Sequence, residues 1–215
     1  MKLKGKALAR VLIYVTFVFA CVGLGGASAA IAQDNAMSGG GQSKTDSRKL
    51  TTIQIAAADI GDIKNAVEVR YLNLPFGAPT FGYMEMGGDR YYSNRTWPIL
   101  HLKLAREAVY DGKTLLAGDY VFFITPKSEK LKTDSMMLSL ASFKPDATRG
   151  TFLVPGDVFT ETPKDAVVIS QKPVTFGKGA PVSPALQVSV GKEDKAIAIK
   201  LHYGDRTLTE KLTLK

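Results

Sequence analysis

Residues 196–215 read AIAIKLHYGDRTLTEKLTLK. Ile197, Ile199, Leu201 and Tyr203 alternate with Lys200 and His202, Gly204-Asp205 intervenes, and the last stretch, from Thr207 to Lys215, alternates again. A period of two places one apolar row on one face of an extended chain, and a Gly-Asp step between two such rows marks a turn. Glu210 breaks the pattern, because it falls in the row of Leu208, Leu212 and Leu214. A buried, unpaired carboxylate is costly, so an edge strand, a bulge or a nearby cation is expected there. The edge strand is favoured over a catalytic carboxylate.

The same period recurs upstream. Val67, Val69 and Tyr71 alternate with Glu68 and Arg70, and Leu100, Leu102 and Leu104 with His101 and Lys103. Met136, Leu138 and Leu140, and Leu186, Val188 and Val190, form two further rows. Tyr120-Val121-Phe122-Phe123-Ile124 is apolar on both faces, as in a central strand. Turn signals fall at Asp111-Gly112 and Gly191-Lys192-Glu193-Asp194. A short helical turn around Ala56–Ala66 is the one competitor. The expected fold is all-β: a single antiparallel β-sandwich domain, jelly-roll or Ig-like, over residues 50–215. No internal repeat is present.

Composition narrows the classes. The 215 residues are 45% hydrophobic with 20 Gly and 10 Pro, which excludes a wholly disordered or collagen-like chain. One Cys and two His exclude a Cys-rich zinc site, an iron–sulfur cluster and a disulfide framework. Lys2, Lys4, Lys6 and Arg10 precede an uncharged apolar run from Val11 to about Gly26, followed by the small-x-small patterns of residues 27–29 and 30–32. That is the pattern of a secretory signal peptide, assigned to residues 1–32. Its removal takes four basic and no acidic residues, so the formal charge drops from +8 to +4. Lys127, Lys130 and Lys132 are interrupted by Glu129, so no clustered basic face for nucleic acid is expected.

Cys21 follows Val18-Phe19-Ala20, part of a lipobox pattern, and is the candidate lipidation site; ordinary cleavage is favoured because bulky Phe19 fits that box poorly. Residues 33–49 are small and polar and read as a flexible linker. The expected location is exported, periplasmic or cell-envelope, with membrane contact only through the signal peptide or a lipid on Cys21.

Residues 100–126 carry Gly112, Lys113, Leu115, Ala117, Gly118, Tyr120, Phe123 and Pro126. This stretch resembles the hairpin of a secreted bacterial domain family of unknown function, in which an alternating strand runs into Gly-Lys-x-Leu-x-Ala-Gly-x-Tyr and an aromatic strand ending in Pro. That family usually places Trp-Arg and Gly-Ala-Asn-Glu just upstream, whereas here Trp97 precedes Pro98-Ile99. The resemblance implies an envelope β-sandwich and supplies no activity.

The most unusual segment is 75–98, which gathers Phe76, Phe81, Tyr83, Tyr91, Tyr92 and Trp97 among Gly and Pro. Flat rings stack on sugar faces, and Asp89, Arg90, Asn94 and Arg95 could bond hydroxyls, which makes this loop the candidate ligand site. The competing and favoured reading folds the loop over one end of the sandwich, its rings plugging the core. No nucleophile elbow, zinc-protease motif or phosphate loop is present, and Glu85 and Glu107 are acid/base candidates by position only. His101 and His202 fall on polar faces and are expected to be solvated rather than to share a metal. No catalytic residue, metal or cofactor is therefore expected. The leading expectation is a non-catalytic structural or interaction module, with a carbohydrate- or small-ligand-binding module second and a small hydrolase third. Its partner would be a cell-wall or extracellular glycan or another envelope protein.

Overall fold

The computed structural model describes residues 51–81, 96–126, 134–156 and 160–215. Their strands are β1 (Ile53–Ile60), β2 (Ile63–Leu72), β3 (Trp97–Leu104), β4 (Ala108–Tyr110), β5 (Lys113–Leu115), β6 (Gly118–Pro126), β7 (Ser135–Ser142), β8 (Val167–Thr175), β9 (Gly177–Glu193) and β10 (Ala196–Leu214). They form two antiparallel sheets, β1-β2-β3-β6-β7-β8 and β5-β4-β10-β9, which makes the fold an antiparallel β-sandwich. The β4–β5 hairpin is an excursion to the second sheet between two three-stranded meanders of the first.

The alternating rows meet between the sheets. Val67, Val69, Leu100, Leu102, Leu104, Phe122, Ile124, Leu138 and Leu140 pack in one buried cluster with Leu186, Ile197, Ile199, Leu201, Tyr203, Leu208 and Leu212. Burying such side chains supplies about 1.5–3 kcal/mol apiece against the entropy of ordering the chain. At Asp111-Gly112, φ values of 50° and 70° and the Tyr110–Lys113 pairing give a two-residue hairpin of the primed type, which suits the twist of its strands. The β9–β10 turn falls slightly later than the sequence suggests, at Asp194-Lys195, because Glu193 still pairs with Ala196.

Ala56–Ala66 is not helical. It forms the β1–β2 hairpin, with Ala56 and Ala58 registered on Val69 and Val67 and packed against the core. The gain from packing this face outweighs the helix preference of alanine.

The strand β10 doubles back on itself. Lys200 and Lys211 both reach the Glu193 carboxylate, at 2.6 and 2.9 Å. A straight strand would part residues 11 apart by roughly 36 Å, far beyond the reach of these side chains. The reversal falls at the Gly-Asp step, where Gly204 has φ +59 and lies under the Phe76 ring. A Cβ at Gly204 would overlap that ring. Phe76 in turn packs on Tyr203 at 5.4 Å, and backbone bonds from residues 74–76 to 184–186 tie this corner to β9. Gly204→Ala is expected to cost about 2–4 kcal/mol, combining a left-handed backbone with overpacking, and to lower Tm by roughly 5–15 °C. Adding Phe76→Ala should remove the clash but not the backbone strain, which thermal unfolding of both variants would resolve.

Candidate functional site

Three groups of side chains among the described residues bear on the candidates named above. The first is the described part of the aromatic loop. Phe81 is fully buried and stacks on Tyr203 at 4.2 Å and 27°, while its edge meets Phe176. The Tyr203 hydroxyl donates to the Pro75 carbonyl and accepts from the Ala78 amide, pinning the segment across the sandwich end. Phe76 remains 42% exposed.

Trp97 does not present a ring to a ligand. It is 3% exposed and belongs to the core cluster, which corrects its assignment as a stacking residue. The cause is a β-bulge. Trp97 pairs with Ile124 and Leu100 with Phe122, so the alternation slips at Ile99 and both large residues face inward. Tyr83, Asp89, Arg90, Tyr91, Tyr92, Asn94 and Arg95 lie outside the described residues, as do Glu85, Lys127, Lys130, Lys132 and Cys21.

The second group is built on the outer face of the six-stranded sheet. His101 in β3 points away from the sandwich core, as its alternation requires, yet it is fully buried rather than solvated. Phe143 meets the imidazole edge-on at 5.0 Å and Phe152 lies at 6.1 Å, both from the connection that follows β7. Asp119 Oδ1 is 2.8 Å from Nε2, and Thr151 Oγ1 is 3.0 Å from Nδ1. Because a carboxylate only accepts, Nε2 carries the proton in the neutral ring, and Nδ1 accepts from the Thr151 hydroxyl. That hydroxyl oxygen also accepts the Leu153 amide at 3.2 Å. Burial pushes the imidazole below its ordinary value, partly offset by the Asp119 carboxylate.

A hydroxyl, an imidazole and a carboxylate in line have the order of a hydrolytic triad. Thr151 is only 2% exposed and is enclosed with two phenylalanines against the sheet, so a substrate carbonyl has no approach to it. These three residues hold a loop down. His202, by contrast, sits in β10 with its Nε2 2.8 Å from the Pro181 carbonyl. The two histidines therefore stand in opposite sheets and not on neighbouring strands. No group of three or more His, Cys, Asp or Glu among the described residues is placed to hold a metal ion.

The third group lies between the sheets. Glu210 is 5% exposed, and its Oε2 receives both the Tyr110 hydroxyl at 2.8 Å and the Lys172 ammonium at 2.6 Å. The ammonium also stands 4.9 Å from the centre of the Tyr110 ring. Burial, and then the Glu210 charge, drives the Tyr110 hydroxyl far above its ordinary value, so it remains a donor. A cation, not an exposed edge, answers this carboxylate. Lys172 comes from β8, Tyr110 from β4 and Glu210 from β10, so the cluster joins the two sheets. Ser170 of β8 adds a hydrogen bond to Asp111 at the β4–β5 turn. Glu107, the remaining acid/base candidate, is partly exposed and paired with Lys215 at 2.6 Å.

Asp119, Thr151 and Lys172 were not legible as members of these groups. Asp119 and Lys172 read as ordinary polar positions of strands, and Thr151 lies in a stretch without periodicity. No family model, curated protein or solved structure matches this chain.

Two outcomes follow from these placements. Lys172→Met leaves a buried carboxylate with one donor fewer and is expected to cost about 1–3 kcal/mol. Lys172→Met with Glu210→Leu should recover most of that loss, since removing a buried charge together with its partner is far less costly than stranding one. A double-mutant cycle by chemical denaturation would show this as non-additivity. The only tryptophan should emit as a buried indole, and Trp97→Ala should destabilise by about 3–5 kcal/mol, read by fluorescence and thermal unfolding.

Proposed function

We propose that the chain is an exported, cell-envelope β-sandwich without catalytic activity that acts as an interaction module. The observation that carries the reading is where its exposed apolar side chains lie. Among the described strands, every large apolar residue that is exposed belongs to a sheet edge: Ile55 on β1, Val167 and Val168 on β8, and Val182 on β9. Exposed apolar side chains at sheet margins are surface that a protein partner can cover. Among the described residues, the two clusters that combine acid, base and hydroxyl groups centre on the buried His101 and Glu210 and are internally partnered, which supports a non-catalytic role. Export rests on the basic, apolar and small-residue succession of residues 1–32, and lipid attachment at Cys21 remains the alternative to cleavage after Ala32.

Ile55→Lys, Val167→Lys and Val182→Lys should each change stability by less than about 0.5 kcal/mol, as substitutions at exposed positions do. On this reading at least one of them reduces the yield of a specific crosslinked partner in intact cell envelopes. Undiminished crosslinking in all three would remove the support of the edges. Turnover of ester or glycoside substrates that His101→Ala or Glu210→Gln abolishes would replace the reading with an enzyme. Recovery of the intact 215-residue chain from the cytosol would end the export part.

A further inference from the structure

We propose that residues 143–156 form an acid-released cover over the outer face of the six-stranded sheet, with His101 as its latch. On that face Val121, Phe123 and Ala141 form a second apolar cluster with the cover's own Phe143, and Phe152 of the cover packs against it. The cover belongs to no strand, so it lacks the ladder of backbone bonds that holds its neighbours. Toward its C-terminal end Leu153 is buried in the sandwich core, and hydrogen bonds hold the remainder. The Phe143 amide donates to the Asp119 carbonyl at 3.2 Å, the Gly156 amide to the Thr51 carbonyl at 2.9 Å, and Arg70 Nη1 to the Gly150 carbonyl at 3.1 Å. The His101–Thr151 bond is the one tie that depends on a group titrating near neutrality.

Protonation changes that tie in kind. In the neutral ring Nδ1 accepts the Thr151 hydroxyl proton, whereas in the imidazolium Nδ1 becomes a donor and meets that same proton head-on. The hydroxyl proton must then rotate away from the ring and lose its acceptor, leaving Oγ1 to take both Nδ1–H and the Leu153 amide. Each packed element contributes to the field at the ring. Asp119 of β6 favours the cation, as does Glu68 of β2, while Arg70 of β2 opposes it. The Glu68 carboxylate is already engaged by Arg70 Nε at 2.6 Å, and Lys103, the other charged residue on this face of β3, is registered opposite both Glu68 and Asp119. Within the cover Asp146 and Arg149 face each other, and the Lys144 amide is taken by Asp165.

The direction follows from the burial. The covered ring binds a proton less readily than a free one, so the latch is at full strength above the ordinary histidine value of about 6.5. Below that pH the uncovered state takes up protons first, and the cover weakens until the pH passes the lowered value of the buried ring. Local opening of this kind precedes global unfolding where backbone ladders are missing.

Hydrogen exchange of the full chain, read by mass spectrometry at pH 7.5 and pH 5 and corrected for intrinsic rates, tests the latch. Amides of residues 150–153 should lose about tenfold in protection at the lower pH, with β3, β6 and β7 unchanged. In His101→Gln, which keeps a donor for Asp119 but cannot titrate, that pH dependence should vanish. His101→Phe serves the same purpose should the glutamine variant fail to fold. The proposal fails if wild-type protection is equal at the two pH values, or if either variant loses protection as the wild type does, since Asp119 or another group would then be responsible.

Discussion

A single backbone constraint organises the second sheet: the chain must reverse at Gly204 with φ +59 while the Phe76 ring covers the position where a Cβ would stand. Glycine alone meets both conditions without strain. The reversal delivers Leu208, Glu210 and Leu212 to the same interior that receives Ile197, Ile199 and Leu201. It also returns Lys211 to Glu193, where two ammonium groups hold the partly exposed carboxylate down to about 2. The backbone bonds from 74–76 to 184–186 and the Tyr203 hydroxyl then close the same corner. Without the turn there is no second row to face β3, β6 and β7.

The interior polar groups follow from that geometry. Once Glu210 is carried inward by an otherwise apolar strand, its desolvation must be offset locally, and the available groups are Tyr110 and Lys172. Lys172 is 30% exposed, so it offers a charge without full loss of hydration. The pair therefore joins β8 to β4 and β10 at a corner where the two sheets share no backbone ladder. His101 solves a different problem. It is the polar member of an outward row, buried only because a loop lies on it; Nδ1 ties that loop to the sheet through Thr151, while Nε2 is held by Asp119 of β6.

The alternating rows and the Asp111-Gly112 and Gly204-Asp205 steps were legible because period and turn chemistry are local properties. What escaped was whatever depends on distant chain. The slip at Ile99 inverts the facing of Trp97, and its one local sign, Pro98 inside the strand, does not say which way the neighbouring side chains will face. His101 was read correctly as outward and wrongly as solvated, since outward means exposed only where nothing covers the face. The edge-strand reading of Glu210 considered its own strand, whereas its partners stand 38 and 100 residues away. Alanine at 56–58 favoured helix locally and was overridden by pairing with β2.

The edges show how a partner could be met without runaway association. A free strand edge invites indiscriminate pairing, so its backbone needs protection even where its side chains are to be recognised. Here β8 carries Pro173 and a register slip at Ile169, β9 carries Pro181 and Pro184, and β5 has only three residues. The remaining edge, β1, runs beside β9 at the other corner. Each edge thus resists addition of another strand through its main chain. Ile55, Val167, Val168 and Val182 nevertheless stay exposed on three of these strands. Recognition at these margins would then depend on side-chain fit, which can be specific, rather than on backbone pairing, which is not.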